Sequence, residues 1–231
     1  MAQMHDFPYT ILDLTHSLSS AIPGWEGTCG FQHQTTQDYK DDAQVSFRVQ
    51  RLKMDAGIGT HIDAPAHCIK GGKSIAELEL NELLAPCVLI DVAHLATADY
   101  QLTVKEILHF EERFGKIEEH SFVIIRTGWE GYWKQPEKYH NNYLFPSCGI
   151  DAAKLLLKRN VVGLGIDTLS PDRPDSGYPV HQAFLGAGKY IVENIANAAT
   201  VPCVGSYALI LPIKIEGGTE APVRLVALLK K

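Results

Sequence analysis

The chain has no apolar run approaching the roughly 20 residues of a membrane-spanning helix. It also has no block of basic residues, and its net charge is −6, so no nucleic-acid partner is expected. Its first residues, Met-Ala-Gln-Met-His-Asp, lack the basic start and apolar core of a secretory signal. A cytoplasmic location away from any membrane is the expectation that follows. Cysteines are few and scattered: Cys29, Cys68, Cys87, Cys148 and Cys203 are odd in number and form no CxxC pair. This argues against a disulfide framework or a zinc knuckle and leaves buried free thiols. Repeats, low-complexity tracts and linkers are missing too. The 231 residues, 45% hydrophobic and 21% charged, therefore read as one domain over 1–231 with a full core.

Chemistry-bearing residues are concentrated in one stretch, Asp55-Ala-Gly-Ile-Gly-Thr-His-Ile-Asp-Ala-Pro-Ala-His67. It places His61, Asp63 and His67 within seven residues, among Gly57, Gly59 and Pro65. A lone histidine would signify packing or surface. Two imidazoles and a carboxylate together suit a divalent metal such as zinc or manganese. In an extended segment the two-residue period sends positions 61, 63 and 67 to one face. The glycines let backbone come close.

The run Gly59-Thr60-His61-Ile62-Asp63-Ala64-Pro65-Ala66-His67 resembles the signature of the cyclase-like metal-dependent hydrolases. That family includes kynurenine formamidase and isatin hydrolase, and its motif reads His-x-Gly-Thr-His-x-Asp-Ala-Pro-x-His. Nearly the whole chain follows the family's order of features. Asp13-Leu14-Thr15-His16 matches its opening segment, and Arg126-Thr127-Gly128-Trp129 matches a segment at the edge of its active site. Pro23-Gly24-Trp25-Glu26-Gly27 resembles its Pro-x-aromatic-Pro-Gly-Asp loop over the substrate, with Glu26 for the second Pro and Thr28 for the Asp. Asp167 resembles the carboxylate of its Gly-(Ile/Val)-Asp-Thr segment, a structural role. His181 and Glu193 stand twelve residues apart, the spacing at which the family sets a metal-binding His on a short helix and a metal-binding Glu. Taken alone, both would read as solvated surface residues.

What the resemblance implies is specific. His61, Asp63, His181 and Glu193 would hold metal, His67 would act as general acid and base, and Trp25 and Trp129 would meet the substrate. The expected fold is α/β: a swivelling β/α/β domain of mixed sheet with flanking helices and a C-terminal antiparallel strand pair. A homodimer or homotetramer is expected, taking a small molecule as substrate. One departure stands out: the motif's first histidine falls on Gly57, which has no side chain to offer. The expectation is one well-held ion, zinc or else manganese, on Asp63, His181 and Glu193. A second ion near His61 would be weaker or would need another donor. Asp55, Cys29 and His33 stand unranked for that role, and water is the alternative.

Patterning along the chain supports α/β. Tyr9–Leu14 reads as a first strand. Gln44–Met54 alternates apolar and polar residues, as in a half-buried strand with a bulge. Ser74 with Glu77 opens a helix to Leu84, stopped by Pro86. Cys87–Val92 and Ser121–Arg126 are buried runs, and Thr103 with Glu106 opens a helix to Phe114. Glu130–Ser147 reads as an irregular surface excursion. A helix over Gly149–Asn160 precedes a strand at Val161–Asp167, and Cys203–Leu211 pairs with Pro222–Leu229. The activity implied is hydrolysis of a small aryl formamide, such as N-formylkynurenine, by metal-activated water with His67 moving the proton. A cyclic amide or lactone is the alternative substrate, and a weakly catalytic metal- or acid-binding relative is the alternative class. Cys68, beside His67, is not needed as a nucleophile.

Overall fold

Two apolar runs set the frame. In Leu84–Asp91 (β5) and Phe122–Arg126 (β7), successive side chains go to opposite faces, as the strand period requires. Cys87, Leu89, Phe122 and Ile124 enter one buried cluster, while Val88, Ile90, Val123 and Ile125 enter another. Strands buried on both faces are the parallel kind, and β5 and β7 pair in parallel. The computed structural model describes residues 7–27, 29–40 and 46–231.

In chain order the other strands are Tyr9–Asp13 (β1), Gln32–Gln37 (β2), Val49–Lys53 (β3), His61–Asp63 (β4), Gln101–Leu102 (β6), Ser147–Cys148 (β8), Gly163–Ile166 (β9), Tyr190–Glu193 (β10), Ser206–Pro212 (β11) and Glu220–Lys230 (β12). The helices are Leu80–Leu83 (α1), Val104–Phe114 (α2), Pro136–His140 (α3), Ile150–Lys158 (α4) and Pro179–Gly186 (α5). Strands β5, β7, β9 and β10 run parallel, with α2, α4 and α5 in the crossovers between them. Ile107 and Phe110 of α2, Ala153 and Leu156 of α4, and Val180 and Phe184 of α5 fill the layer between helices and sheet. Strands β11 and β12 form the expected antiparallel pair, and β11 joins β5.

The sheet then closes. Strand β4, only three residues long, pairs antiparallel with β10 on one side and with the start of β12 on the other. The result is a ring of β12, β11, β5, β7, β9, β10 and β4, with β1 added along the end of β12. A barrel-like closure thus stands in place of the swivelling β/α/β layout expected from the sequence. Its physical basis is local: both edges of β4 are used, so neither β10 nor β12 is left as a free edge there. Inside the ring, Gly163 and Gly165 leave space for aromatic rings. A Cβ on Gly163 would run into Tyr190, and one on Gly165 would meet Ile195 and Phe122. The rings of Phe122 and Tyr190 stack there, 5.9 Å apart.

Helix α2 begins where the sequence places it, with the Thr103–Glu106 capping box formed. The helix expected from Ser74 splits into a 3-10 turn, Ile75–Glu77, and α1, because Glu79 and Glu82 form a second capping box. Pro86 lies within β5, opposite Tyr207. The strand expected at Gln44–Met54 is β3; Gln44 and Val45 lie outside the described residues. Strand β3 is exposed along its length because its one partner among the described residues is β2, itself exposed. The bulge expected in this strand falls instead in its partner β2, between Thr35 and Gln37. The Glu130–Ser147 excursion is more ordered than its sequence suggests. Trp133, Tyr139 and Phe145 within it are buried with Ile22, Phe31, Ile58 and Leu169, making a third core beside the cavity described below. No helix among the described residues is long and apolar enough to cross a membrane.

Candidate metal centre

The ring closure positions the site. In β4 the central residue, Ile62, enters the ring core, so His61 and Asp63 must face the opposite side. The same alternation applies to β10, where Val192 points inward and Glu193 outward, and to β12, where Ala221 points inward and Glu220 outward. Glu193 lies opposite His61, and Glu220 opposite Asp63. Helix α5 brings His181 to the same face. Together, Asp63, His181 and Glu193 form one buried group with ligand atoms within 4.8 Å of one another, and buried His61 and Asp63 form another with half-buried Glu220.

Hydrogen bonds fix both imidazoles. His61 Nδ1 lies 2.9 Å from the Gly59 carbonyl, and His181 Nδ1 lies 2.9 Å from Asp172 Oδ2. Against such acceptors each Nδ1 must carry the hydrogen, which turns Nε2 toward the cage. His61 Nε2 lies 3.3 Å from Glu193 Oε2 and 3.5 Å from Asp63 Oδ1. His181 Nε2 lies 3.3 Å from Glu193 Oε1 and 3.5 Å from Asp63 Oδ2. Asp63 Oδ1 and Glu193 Oε1 are nevertheless buried without a hydrogen-bond partner. Two imidazole nitrogens and two buried carboxylates thus converge on a space that only positive charge can satisfy. Without a cation, that charge is a proton. Burial alone would push His61 down, but Glu193 and Asp63 outweigh it and hold it up to about 10. His181 is likewise raised by Asp172, Asp63 and Glu193 against its burial. Donor type, burial and orphaned oxygens all fit a divalent metal ion.

His67 reaches the site differently from the expected shared strand face. It ends a 3-10 turn, Pro65–His67, that follows β4. Its Nδ1 lies 3.2 Å from Glu220 Oε2, and its ring centroid is 6.1 Å from that of His181. The Glu220 carboxylate raises His67 above the ordinary histidine range, against partial burial. A cavity of about 930 Å³ opens over the group, lined by Trp25, Leu169 and Tyr178 as well as His67. The Trp25 carbonyl accepts from Tyr143 Oη at 2.8 Å and lies 2.9 Å from His140 Nε2, which anchors the loop. The Trp25 and Tyr178 rings stand 6.3 Å apart.

Trp129, expected beside the substrate, does not line this cavity. Its indole N–H donates to the Tyr139 carbonyl at 2.8 Å, which turns the ring into the third core. Asp167 sits under the same turn, accepting from the Thr127 hydroxyl and the Thr127 and Gly128 amides at 2.7–2.8 Å. Of the donors considered for a second ion, Asp55 lines the cavity, Cys29 donates to the Ser19 carbonyl and His33 lies on exposed β2. None belongs to either ligand group among the described residues. Partial burial raises the Cys68 thiol, so little thiolate is present for nucleophilic attack. Thr28 lies outside the described residues.

Two further residues escaped sequence reasoning. Asp172 accepts from the Val180 and His181 amides at the start of α5 and also meets His181 Nδ1, so one carboxylate caps the helix and fixes the ring. Its distance along the chain from α5 hides it from any local capping pattern. Glu220 follows a Gly-Gly turn and reads as the fringe of a strand; only the pairing of β12 with β4 brings it inward.

A mixed sheet closed around β4, with a buried His–Asp–Glu cage at its rim, is the frame of a metal-ion enzyme. Residues 12–173 match the model of the Cyclase family, described as "Putative cyclase", and the chain belongs to that family. It is 30% identical over 189 residues to isatin hydrolase of Roseibium aggregatum, covering 75% of this chain and 72% of that protein. It is 27% identical over 218 residues to kynurenine formamidase of Bacillus mycoides, covering 93% and 95%. The solved structure of isatin hydrolase A from Labrenzia aggregata, bound to benzyl benzoate, superposes with a TM-score of 0.88 at 29% identity, covering 97% of this chain and 95% of that one.

Proposed function

We propose that this chain is a metal-dependent hydrolase that opens a small aryl formamide of the N-formylkynurenine kind, using His61, Asp63, His181 and Glu193 to hold the metal. The observation that carries the proposal is the buried cage beside His67 at the floor of an aromatic-walled cavity. A divalent cation held by these four residues would supply Lewis acidity to the scissile carbonyl and a water whose pKa is lowered toward about 7. The protein's own groups do the rest. Trp25 and Tyr178 give an aryl ring two faces to lie against. With Nδ1 turned to Glu220, His67 offers Nε2 to the reacting groups. That nitrogen takes a proton from the water and returns it to the leaving amine, so the imidazole ends as it began. Glu220 stabilises the imidazolium in between, as a carboxylate behind a histidine does.

A cyclic amide of the isatin kind is the second reading, supported by the 30% identity to isatin hydrolase. The two differ in what departs: a formamide releases formate and an arylamine, whereas a lactam opens to one product. Metal-loaded protein assayed with N-formylkynurenine, isatin and an aryl lactone separates them. The formamide is expected to be the fastest. Hydrolysis of isatin alone would move the assignment to the cyclic amide, and no hydrolysis of any of the three would remove the proposal. A cytoplasmic setting and a homodimer or homotetramer complete the proposed picture.

A further inference from the structure

Gly57 stands where the family motif has its first histidine, so that position offers no side-chain ligand. The space is not empty. An ideal Cβ built on Gly57 would land on Glu220 Oε1 and lie 3.3 Å from His61 Nε2. A carboxylate from β12 thus occupies the volume in which a side chain at 57 would begin, beside the imidazole with which it would share an ion. We propose that Glu220 replaces the missing histidine and, with Asp63 and the single free Nε2 of His61, forms a second cation position that shares Asp63 with the first, leaving the first ion on Asp63, His181 and Glu193.

Three observations support this. One carboxylate oxygen of Glu220 lies within 4.8 Å of ligand atoms on both His61 and Asp63. Asp63 is 1% exposed and its Oδ1 has no hydrogen-bond partner, so a buried acceptor points into this half of the site. The Glu220 carboxylate also faces both ways, with Oε2 on His67 Nδ1 at 3.2 Å and Oε1 turned toward the Gly57 side. It therefore joins the metal half of the site to the proton-transfer half. The donor set becomes two carboxylates and one imidazole, where the motif would give two imidazoles and one carboxylate. A harder set of this kind shifts preference toward manganese relative to the motif's set. Position 57 is then a coupled position: Gly57→His alone would drive its side chain against Glu220.

The inference rests on the cage being a metal centre, and the test separates the two. Chelator-stripped protein is titrated with Mn²⁺ by calorimetry and by electron paramagnetic resonance, alongside Glu220→Gln and Gly57→His/Glu220→Gly. Wild type is expected to bind two ions per chain. Glu220→Gln should keep the first ion with unchanged affinity, which also reports an intact fold, and should bind the second at least about tenfold more weakly. The double variant should regain the second ion, with its preference shifted toward zinc. Two ions of unchanged affinity in Glu220→Gln, or one ion in both wild type and Glu220→Gln, would overturn the role of Glu220 and leave the cage standing. No ion in wild type would overturn the metal centre itself. If Glu220 only positions His67, the stoichiometry will not move.

Discussion

In the proposed reaction His67 has the residue-scale task of moving the proton. It lies outside the His61–Asp63–His181–Glu193 cage but within reach of the cavity, with Glu220 on one ring nitrogen. His67→Ala should therefore lower turnover of an aryl formamide by about 10²–10⁴-fold. Metal content per chain should stay unchanged; a parallel loss of metal would show that His67 is a ligand. At this scale much of the site was legible. His61 and Asp63 stand out because two ligand types share a three-residue strand, and His181 and Glu193 stand out by their family spacing. Asp172 and Glu220 do not, because a helix cap and a strand pairing made far along the chain bring them in. Trp129 shows the reverse: the motif match set it beside the substrate, but an indole N–H seeking an acceptor turns the ring into the core.

Elements explain why the cage is rigid. Two short strands, β4 and β10, and the start of β12 set four ligand-type side chains on one face because each has an apolar residue facing the ring. The position of those strands depends on how the neighbouring ring strands pack. Gly163 on β9 sits directly against the Tyr190 ring at the start of β10, where an added methyl has no room. Gly163→Ala is expected to cost about 1–3 kcal/mol by overpacking, read as a lower midpoint in chemical denaturation; an unchanged midpoint would mean that the ring core can yield. Buried runs and capping boxes in the sequence revealed β5, β7, β11, β12 and α2 because their patterns are local. The closure through β4 was not visible, since three residues carry no period and both pairings are long-range. The exposure of β3 was hidden for a related reason: alternation shows that a strand has two faces, not that a layer covers one.

For the whole molecule, the proposed metal centre would tie folding to pH and metal. In stripped protein His61 is held up to about 10, above the 6.5 of an unpaired histidine, and His181 is raised in the same direction. A raised pKa in the folded state stabilises the fold fully below the unfolded value, and that contribution is lost as pH rises. Stripped protein should therefore lose stability between about pH 6.5 and about 10, as His61 gives up its proton. Metal-loaded protein should not, because the ion takes the proton's place, and loading near neutral pH should release protons. Thermal unfolding across that range, with and without metal, checks both forms; parallel curves would show that the imidazoles do not exchange protons for metal. The most direct test of the account is made on Asp63, the carboxylate common to both ligand groups. Metal binding and aryl formamide hydrolysis are measured together on wild type and Asp63→Asn after chelator treatment and reloading. The account requires wild type to regain metal and turnover together and Asp63→Asn to regain neither. Full hydrolysis by stripped wild type, or full metal loading and turnover by Asp63→Asn, would contradict it.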